Sequence, residues 1–495
     1  MGNQTAKKRL QTAALAFALL FCVFAGGCAQ DSSVESQAHV QTPSPSPEVT
    51  PPAGGAKADV INYVYTTKRA FAVTFTGMAD KKTMETLLNE LDQYNMKALF
   101  FLPGMRVAEE PDIANEILKR GHSIGNDSLS GVDLTALSGY EEIYDEIDKA
   151  NKVIQEKTGT APKFLATLGG KYNDEVLMAA DACGLDLVTY NINFQTWDGR
   201  TAAEVEEYLL NKITRGGVIA LSAEDLDCAL DTIRLIDKVE KLMGYSVQPL
   251  DYLIKNSYER RPLEEIPGWD AASIDKVKDA PVKIIYSGSR NKKAVTLTFD
   301  DWGCDYSVTR ILDILKQYNI KATFFLRGNG VETNPNLAKA IAEEGHDVAN
   351  HTFGHTVITE IEAEKVQEEI VHCHQVLTEA IQEQPAMLFR PPTGDTSEEA
   401  AQAIMASGYQ YISLYDITTN DWDTNNDTED ILNSVQSRLA NGSIIVMHLM
   451  IQLDTYEALP QMIEYLLDKG YEIIPLSKVI EDGNAEITSQ IKPRS

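Results

Sequence analysis

The sequence predicts an α/β protein made of two tandem copies of one largely parallel sheet or barrel, and three observations carry that prediction. The first is an internal repeat: Lys97-Ala98-Leu99-Phe100-Phe101-Leu102 returns 224 residues later as Lys321-Ala322-Thr323-Phe324-Phe325-Leu326. Val73-Thr74-Phe75 and Leu297-Thr298-Phe299 share that offset, as do the Gly-His pairs at 121 and 345, while Trp197 and Trp422 are 225 apart. A period this long means a duplicated domain, not a solenoid of short repeats. The second is alternation within each copy. In the later one, helical spacing over 307–317 gives way to a strand-like run at 321–326 and to helical spacing again at 336–344, the signature of βα units. The third is the run 294–299, which is β-branched and apolar and stops abruptly at Asp300-Asp301. This reads as a buried strand delivering two acids to its C-terminal edge. Adjacent strand residues point to opposite faces, so the two carboxylates are expected to do different jobs.

In chain order, residues 1–27 read as an export signal. Lys7, Lys8 and Arg9 precede an apolar stretch too short to span a bilayer comfortably, and Ala25-Gly26-Gly27-Cys28 resembles a bacterial lipoprotein signal in which Cys28 becomes lipidated. Residues 28–59 are rich in Ser and Pro and form an expected tether. The first copy is expected over 60–258, a Pro-containing linker over 259–282, the second copy over 283–482 and a tail over 483–495. A net charge of −29 argues against a nucleic-acid partner. Cys183, Cys228, Cys304 and Cys373 show no Cys-x-x-Cys spacing and are expected as buried thiols.

Chemistry concentrates in the second copy. His351 and His355, four residues apart, can converge on one ion, and with Asp301 they make a two-histidine, one-carboxylate set with open positions. The prolines of Arg390-Pro391-Pro392-Thr393 stiffen a turn that could hold the arginine rigidly near a carboxylate. Asn420-Asp421-Trp422 follows another strand-like run, and Ser443 to Met447 forms an apolar strand ending in His448.

Together these five stretches resemble the polysaccharide deacetylases of carbohydrate esterase family 4, the NodB-homology family, over roughly 283–482. The resemblance implies two tandem NodB-like distorted (β/α) barrels. It also implies a divalent metal on Asp301, His351 and His355, with zinc favoured and cobalt, nickel or manganese as alternatives. Asp300 would be the general base for water activated by the metal and Arg390 would orient it. The Thr393 backbone N–H would help stabilise the oxyanion, Asp421 and Trp422 would line the site, and His448 would be the general acid. The sequence departs from the family pattern at Thr393, where a tyrosine is usual, at Trp302 beside the acid pair, at Thr418, and at Leu449-Met450 after the histidine. These departures bear on substrate choice.

The first copy has lost these residues: Thr76-Gly77 stands for the acid pair, Asp127 and Gly131 for the histidines, Leu165 for the arginine, Thr196 for Asp421 and Ala223 for His448. It is expected to be catalytically silent, and it serves as an internal control. His122 pairs with His346, so both are read as structural, and Trp197 weakens the idea that Trp422 acts only on substrate. His372 and His374, on the helical run 363–380, are expected to be solvated. The reading is a membrane-anchored, extracytoplasmic N-deacetylase of a cell-envelope polysaccharide, peptidoglycan favoured, of undetermined oligomeric state. Exopolysaccharide, chitin-type oligomers and O-acetyl esters are the alternative substrates, and a non-catalytic wall- or sugar-binding lipoprotein is the alternative class.

Overall fold

Apolar runs become buried parallel strands here because helices pack on the sheet. A computed structural model describes residues 55–194, 196–450 and 453–492. The signal segment, Cys28 and most of the tether lie outside the described residues. Among those described, no helix is long and apolar enough to cross a membrane.

Each copy is a curled, parallel-rich sheet wrapped by helices. In the second, strand order runs Ile417–Thr418, Ile444–His448, Ala294–Asp301, Thr323–Leu326, Asp347–Asn350, Leu388–Phe389, Tyr411–Ser413, Ile284–Gly288, Ala485–Thr488. The first copy repeats this order, from Ile192–Phe194 through Val218–Ser222, Ala70–Thr76 and Leu99–Leu102 to Val60–Ile61. The distorted-barrel expectation therefore holds in the form of a half-barrel whose strands do not close into a ring. The longest strand, Ala294–Asp301, is buried along its whole length and lies between Thr323–Leu326 and Ile444–His448. Phe299 stacks on Phe324 at 4.9 Å between ring centroids, and Phe75 on Phe100 repeats the contact at 4.9 Å. Each such buried ring is worth about 1.5–3 kcal/mol.

Two segments differ from expectation. Residues 483–492 are not a loose tail: Ala485–Thr488 pairs antiparallel with Ile284–Gly288. Its strand side chains stay largely outside the core, with Ala485 alone packed against it, so the segment is held mainly by hydrogen bonds that leave no hydrophobic period to read. The linker folds back on the helix Ala363–Ile381, where Gly268 O meets His374 Nε2 at 2.8 Å and the Arg261 N–H donates to Gln382 Oε1 at 2.7 Å. That contact buries His374 completely, against the expectation that it is solvated, whereas His372 remains exposed and stacks on Phe353.

The paired histidines are structural in both copies. His122 Nδ1 accepts from Ala98 N–H at 3.2 Å and His346 Nδ1 from Ala322 N–H at 3.1 Å. Burial pushes their pKa values down to about 4 and about 3, so both rings stay neutral acceptors. Asn126 and Asn350 are a second structural pair. Each is fully buried, donates to a helix carbonyl (Ile147 O and Ile370 O, both 2.9 Å) and accepts from the N–H two residues on. Replacing Asn126 with alanine strands the Ser128 N–H. Urea unfolding should show a loss of about 1–3 kcal/mol, with the second copy's chemistry untouched.

Candidate active site

The strand end that delivers Asp300 and Asp301 opens into a cleft of about 1230 Å³ at the C-terminal edge of the second sheet. Both carboxylates border it, as do His351, His355 and His448. Strict strand alternation, which would have sent the acids to opposite faces, fails at Asp301. Its φ of +77° swings the side chain out of the pleat and back toward the cleft.

Asp300 is almost fully buried and accepts from Arg390 Nη1 at 2.7 Å. The guanidinium has no exposed surface. Its Nε donates to Ser413 O at 3.1 Å, Nη1 also donates to Thr298 Oγ1 at 2.7 Å, and Nη2 donates to Leu414 O at 3.3 Å. It lies over the Phe325 ring, 4.1 Å from its centroid. The arginine is thus held in one orientation, as the stiff Arg-Pro-Pro turn suggested. Burial pushes the Asp300 carboxyl above its usual range despite the opposing charges of Arg390 and His448.

Asp301, His351 and His355 offer donor atoms that all lie within 4.8 Å of one another, the one such three-residue cluster found among the described residues. His355 Nε2 is 3.2 Å from Asp301 Oδ1. His351 Nδ1–H donates to Arg390 O at 2.8 Å, which fixes the proton on Nδ1 and leaves Nε2 with the free lone pair. A carbonyl behind a ligand histidine is the usual way of fixing its tautomer. Burial pushes the His351 pKa down to about 3, so the ring is neutral and ready to ligate. The donor set fits a divalent transition ion such as zinc.

His448 sits directly across the ladder from Asp300. Its Nδ1 is 2.7 Å from Asp421 Oδ1, and Asp421 Oδ2 accepts from the His448 N–H at 2.8 Å and from Thr455 Oγ1 at 2.6 Å. Burial works against a charged ring, but the hydrogen bond and charge of Asp421, with Asp300 and Asp301 nearby, outweigh it and raise the pKa. The structure therefore brings together every site residue singled out in the second copy. Trp422, 55% exposed, faces the cleft, whereas Trp197 packs on the first core and donates to Thr232 Oγ1 at 2.8 Å. The two tryptophans have parted roles, so their pairing no longer argues against Trp422 meeting a ligand. Thr298, Ser413 and Thr455 escaped the sequence reading. Thr298 was findable, since it lies two residues before Asp300 on the same strand face; Thr455, distant in sequence, was not.

Thr393 has φ +64° and His355 has φ +63°, left-handed like Asp301. The matching residues of the first copy are Gly169, Gly131 and Gly77, with φ of +65°, +73° and +85°. The main-chain turns are shared, and only the second copy places side chains on them, at about 1–3 kcal/mol each. In the first copy burial raises Asp127 to about 7, and Glu224 covers Gly77.

A family model described as polysaccharide deacetylase matches residues 63–188 and 287–412, together more than half of the chain. A peptidoglycan-N-acetylglucosamine deacetylase of Bacillus cereus is 33% identical over 239 residues, covering 47% of this chain and 83% of that protein. The peptidoglycan-N-acetylmuramic acid deacetylase PdaA of Bacillus subtilis is 28% identical over 226 residues, covering 45% and 83%. The solved structure of Bacillus subtilis PdaA, a family 4 carbohydrate esterase, is 27% identical with a TM-score of 0.38, covering 41% of this chain and 86% of that one.

Two measurements check this geometry. Titrated by NMR, the His448 ring should lose its proton above pH 6.5, and Asp421→Asn should lower that midpoint by about 1 unit or more. Metal analysis after loading with zinc should find about one ion per chain, lost in Asp301→Asn; two ions per chain would mean that the first copy also binds metal.

Proposed function

Because this chain belongs to the polysaccharide deacetylase family, we propose that it is a metal-dependent hydrolase removing N-acetyl groups from amino sugars of peptidoglycan. The observation that carries the reading is the arrangement of two ion pairs around one donor cluster. Arg390–Asp300 and Asp421–His448 flank Asp301, His351 and His355 in a single open cleft.

Asp301, His351 and His355 would hold the divalent metal, zinc favoured; such an ion supplies Lewis acidity toward a carbonyl and toward water. The remaining steps belong to the chain's own groups. Asp300 takes the proton from the attacking water, with its carboxylate fixed by Arg390 and its raised pKa making it a better base. The Thr393 N–H donates to the oxyanion as the acetamide carbon becomes tetrahedral. His448, kept protonated by Asp421, hands its proton to the departing amine, so acetate and a free amino sugar leave. Trp422 offers an exposed indole face against which a sugar ring can pack. The relatives act on two different sugars of the same polymer, and both are candidates. The first copy, without an equivalent donor set, is catalytically silent. A lipid at Cys28 would hold the enzyme at the outer membrane face beside its substrate.

Purified protein should release acetate from peptidoglycan in preference to chitin oligomers or acetylated xylan; no release from any N-acetylated glycan would favour a binding role. Asp300→Asn should lower turnover by about 10²–10⁴ while metal content stays unchanged. His448→Ala should lose a similar factor together with the alkaline limb of the pH–rate profile, and an intact limb would remove His448 from the reaction.

A further inference from the structure

Where the two copies meet, a buried ion pair crosses from one to the other. Arg215, in the turn before the first copy's strand Val218–Ser222, pairs with Asp305, and the two side chains are 1% and 0% exposed. The Arg215 backbone N–H donates to Asp305 Oδ2 at 3.1 Å, and its Nη2 donates to Thr309 Oγ1 at 3.0 Å. Tyr245 of the first copy and Asn334 of the second, the latter at 2.8 Å, also donate to the Asp305 carboxylate. Beside it, Asn336 donates to Val64 O at 2.8 Å and Arg215 O at 2.7 Å and accepts from the Thr66 N–H at 3.1 Å. The turn that presents Arg215 needs Gly216, at φ +70°, because a Cβ there would lie 1.9 Å from Val64 O.

Asp305 opens the helix Asp305–Gln317, four residues after Asp301. Everything between is clamped. Trp302 fills the space over Gly330, where a Cβ would come within 2.3 Å of the indole. Gly303 lies against Leu449 O, which also accepts from Ser307 Oγ at 2.9 Å, and Leu449 is the residue after His448. Tyr306, next to Asp305, packs on the hydrophobic core of the first copy. In the repeat, Lys81 stands where Asp305 would be, and Asn441 stands where Arg215 would be, since the bond from Gly216 N–H to Ala70 O recurs as Gly442 N–H to Ala294 O. The pair is therefore not a leftover of the duplicated unit; it exists once, at the junction.

We propose that Arg215 is a positioning residue for the second copy's reaction: by holding Asp305 it fixes the turn 302–304, and through it the setting of Asp300, Asp301 and the His448 strand end. The silent copy is then the rigid backing of the active site, not a separate module. The turnover arm of the test rests on the deacetylase reading; the other arms do not.

The test uses the full chain carrying Arg215→Met together with Asp305→Asn, which removes both charges so that neither is left buried alone. Hydrogen exchange, zinc affinity by chelator competition, and kcat and KM for acetate release are measured beside Arg215→Lys. The expected result is a cooperatively folded double variant whose amides at 302–305 exchange at least tenfold faster while those of Thr323–Leu326 keep their protection. Zinc should bind more weakly, and kcat should fall at least tenfold at constant KM, with Arg215→Lys in between. Wild-type exchange at 302–305 with wild-type kcat would overturn the proposal, as would an equal rise in exchange over the whole second copy, which marks Arg215 as general adhesive. Should the double variant fail to fold, Arg215→Lys decides alone: wild-type exchange and kcat overturn the proposal, and intermediate values uphold it. If the wild-type chain releases no acetate from any glycan, the deacetylase reading fails, while exchange and zinc affinity still decide the role of Arg215.

Discussion

The arrangement of the second copy depends on the buried pair between Arg390 and Asp300. Sinking a guanidinium completely costs far more than one carboxylate returns unless its other donors are met as well. Here they are met by three strands at once: Thr298 two residues before Asp300, Ser413 and Leu414 from a strand across the sheet, and the face of Phe325 beneath. The arginine's own carbonyl meanwhile fixes the His351 ring. A shift in any of these strands would leave charge unpaired, so the register of the sheet and the aim of the Asp300 carboxylate are one constraint. The first copy bears this out by subtraction. By strand register Ala166, not Leu165, stands with Thr76 where the pair would be, since the Ala166 N–H donates to Asn126 O as the Arg390 N–H does to Asn350 O. Ser222, not Ala223, likewise faces Thr76 as His448 faces Asp300. Both charges of the buried pair have gone together, and removing both partners is far cheaper than removing one.

Much of this was legible in the sequence. A recurring offset of 224 announces the duplication, and the apolar strand ending in Asp300-Asp301 announces the edge at which the cleft opens. His351 and His355 are visible because ligand geometry imposes a spacing on the chain. What could not be read has one cause: contacts made by main chain or across long loops leave no periodic trace. His374 looks like a solvated helix residue until the linker closes over it, and Ala485–Thr488 looks like a tail because nothing on it is buried deeply. Asp305 looks like an ordinary first-turn acid on a helix, where negative charge is welcome anyway, and only the packing of the two copies reveals its partner. The opposite-face expectation for the acid pair failed for the same reason, since a single left-handed residue is invisible to a two-residue period.

The left-handed positions 301, 355 and 393 set a direction for drift. At each of them glycine would fit the turn more comfortably than the residue present, as the first copy's glycines at 77, 131 and 169 demonstrate. A population screened only for heat resistance would therefore gain by discarding the side chains of Asp301 and His355, two members of the donor cluster. Backbone comfort and side-chain placement pull against each other at three separate points of one backbone. The first copy shows the relaxed alternative: the same turns persist, with glycine at all three positions.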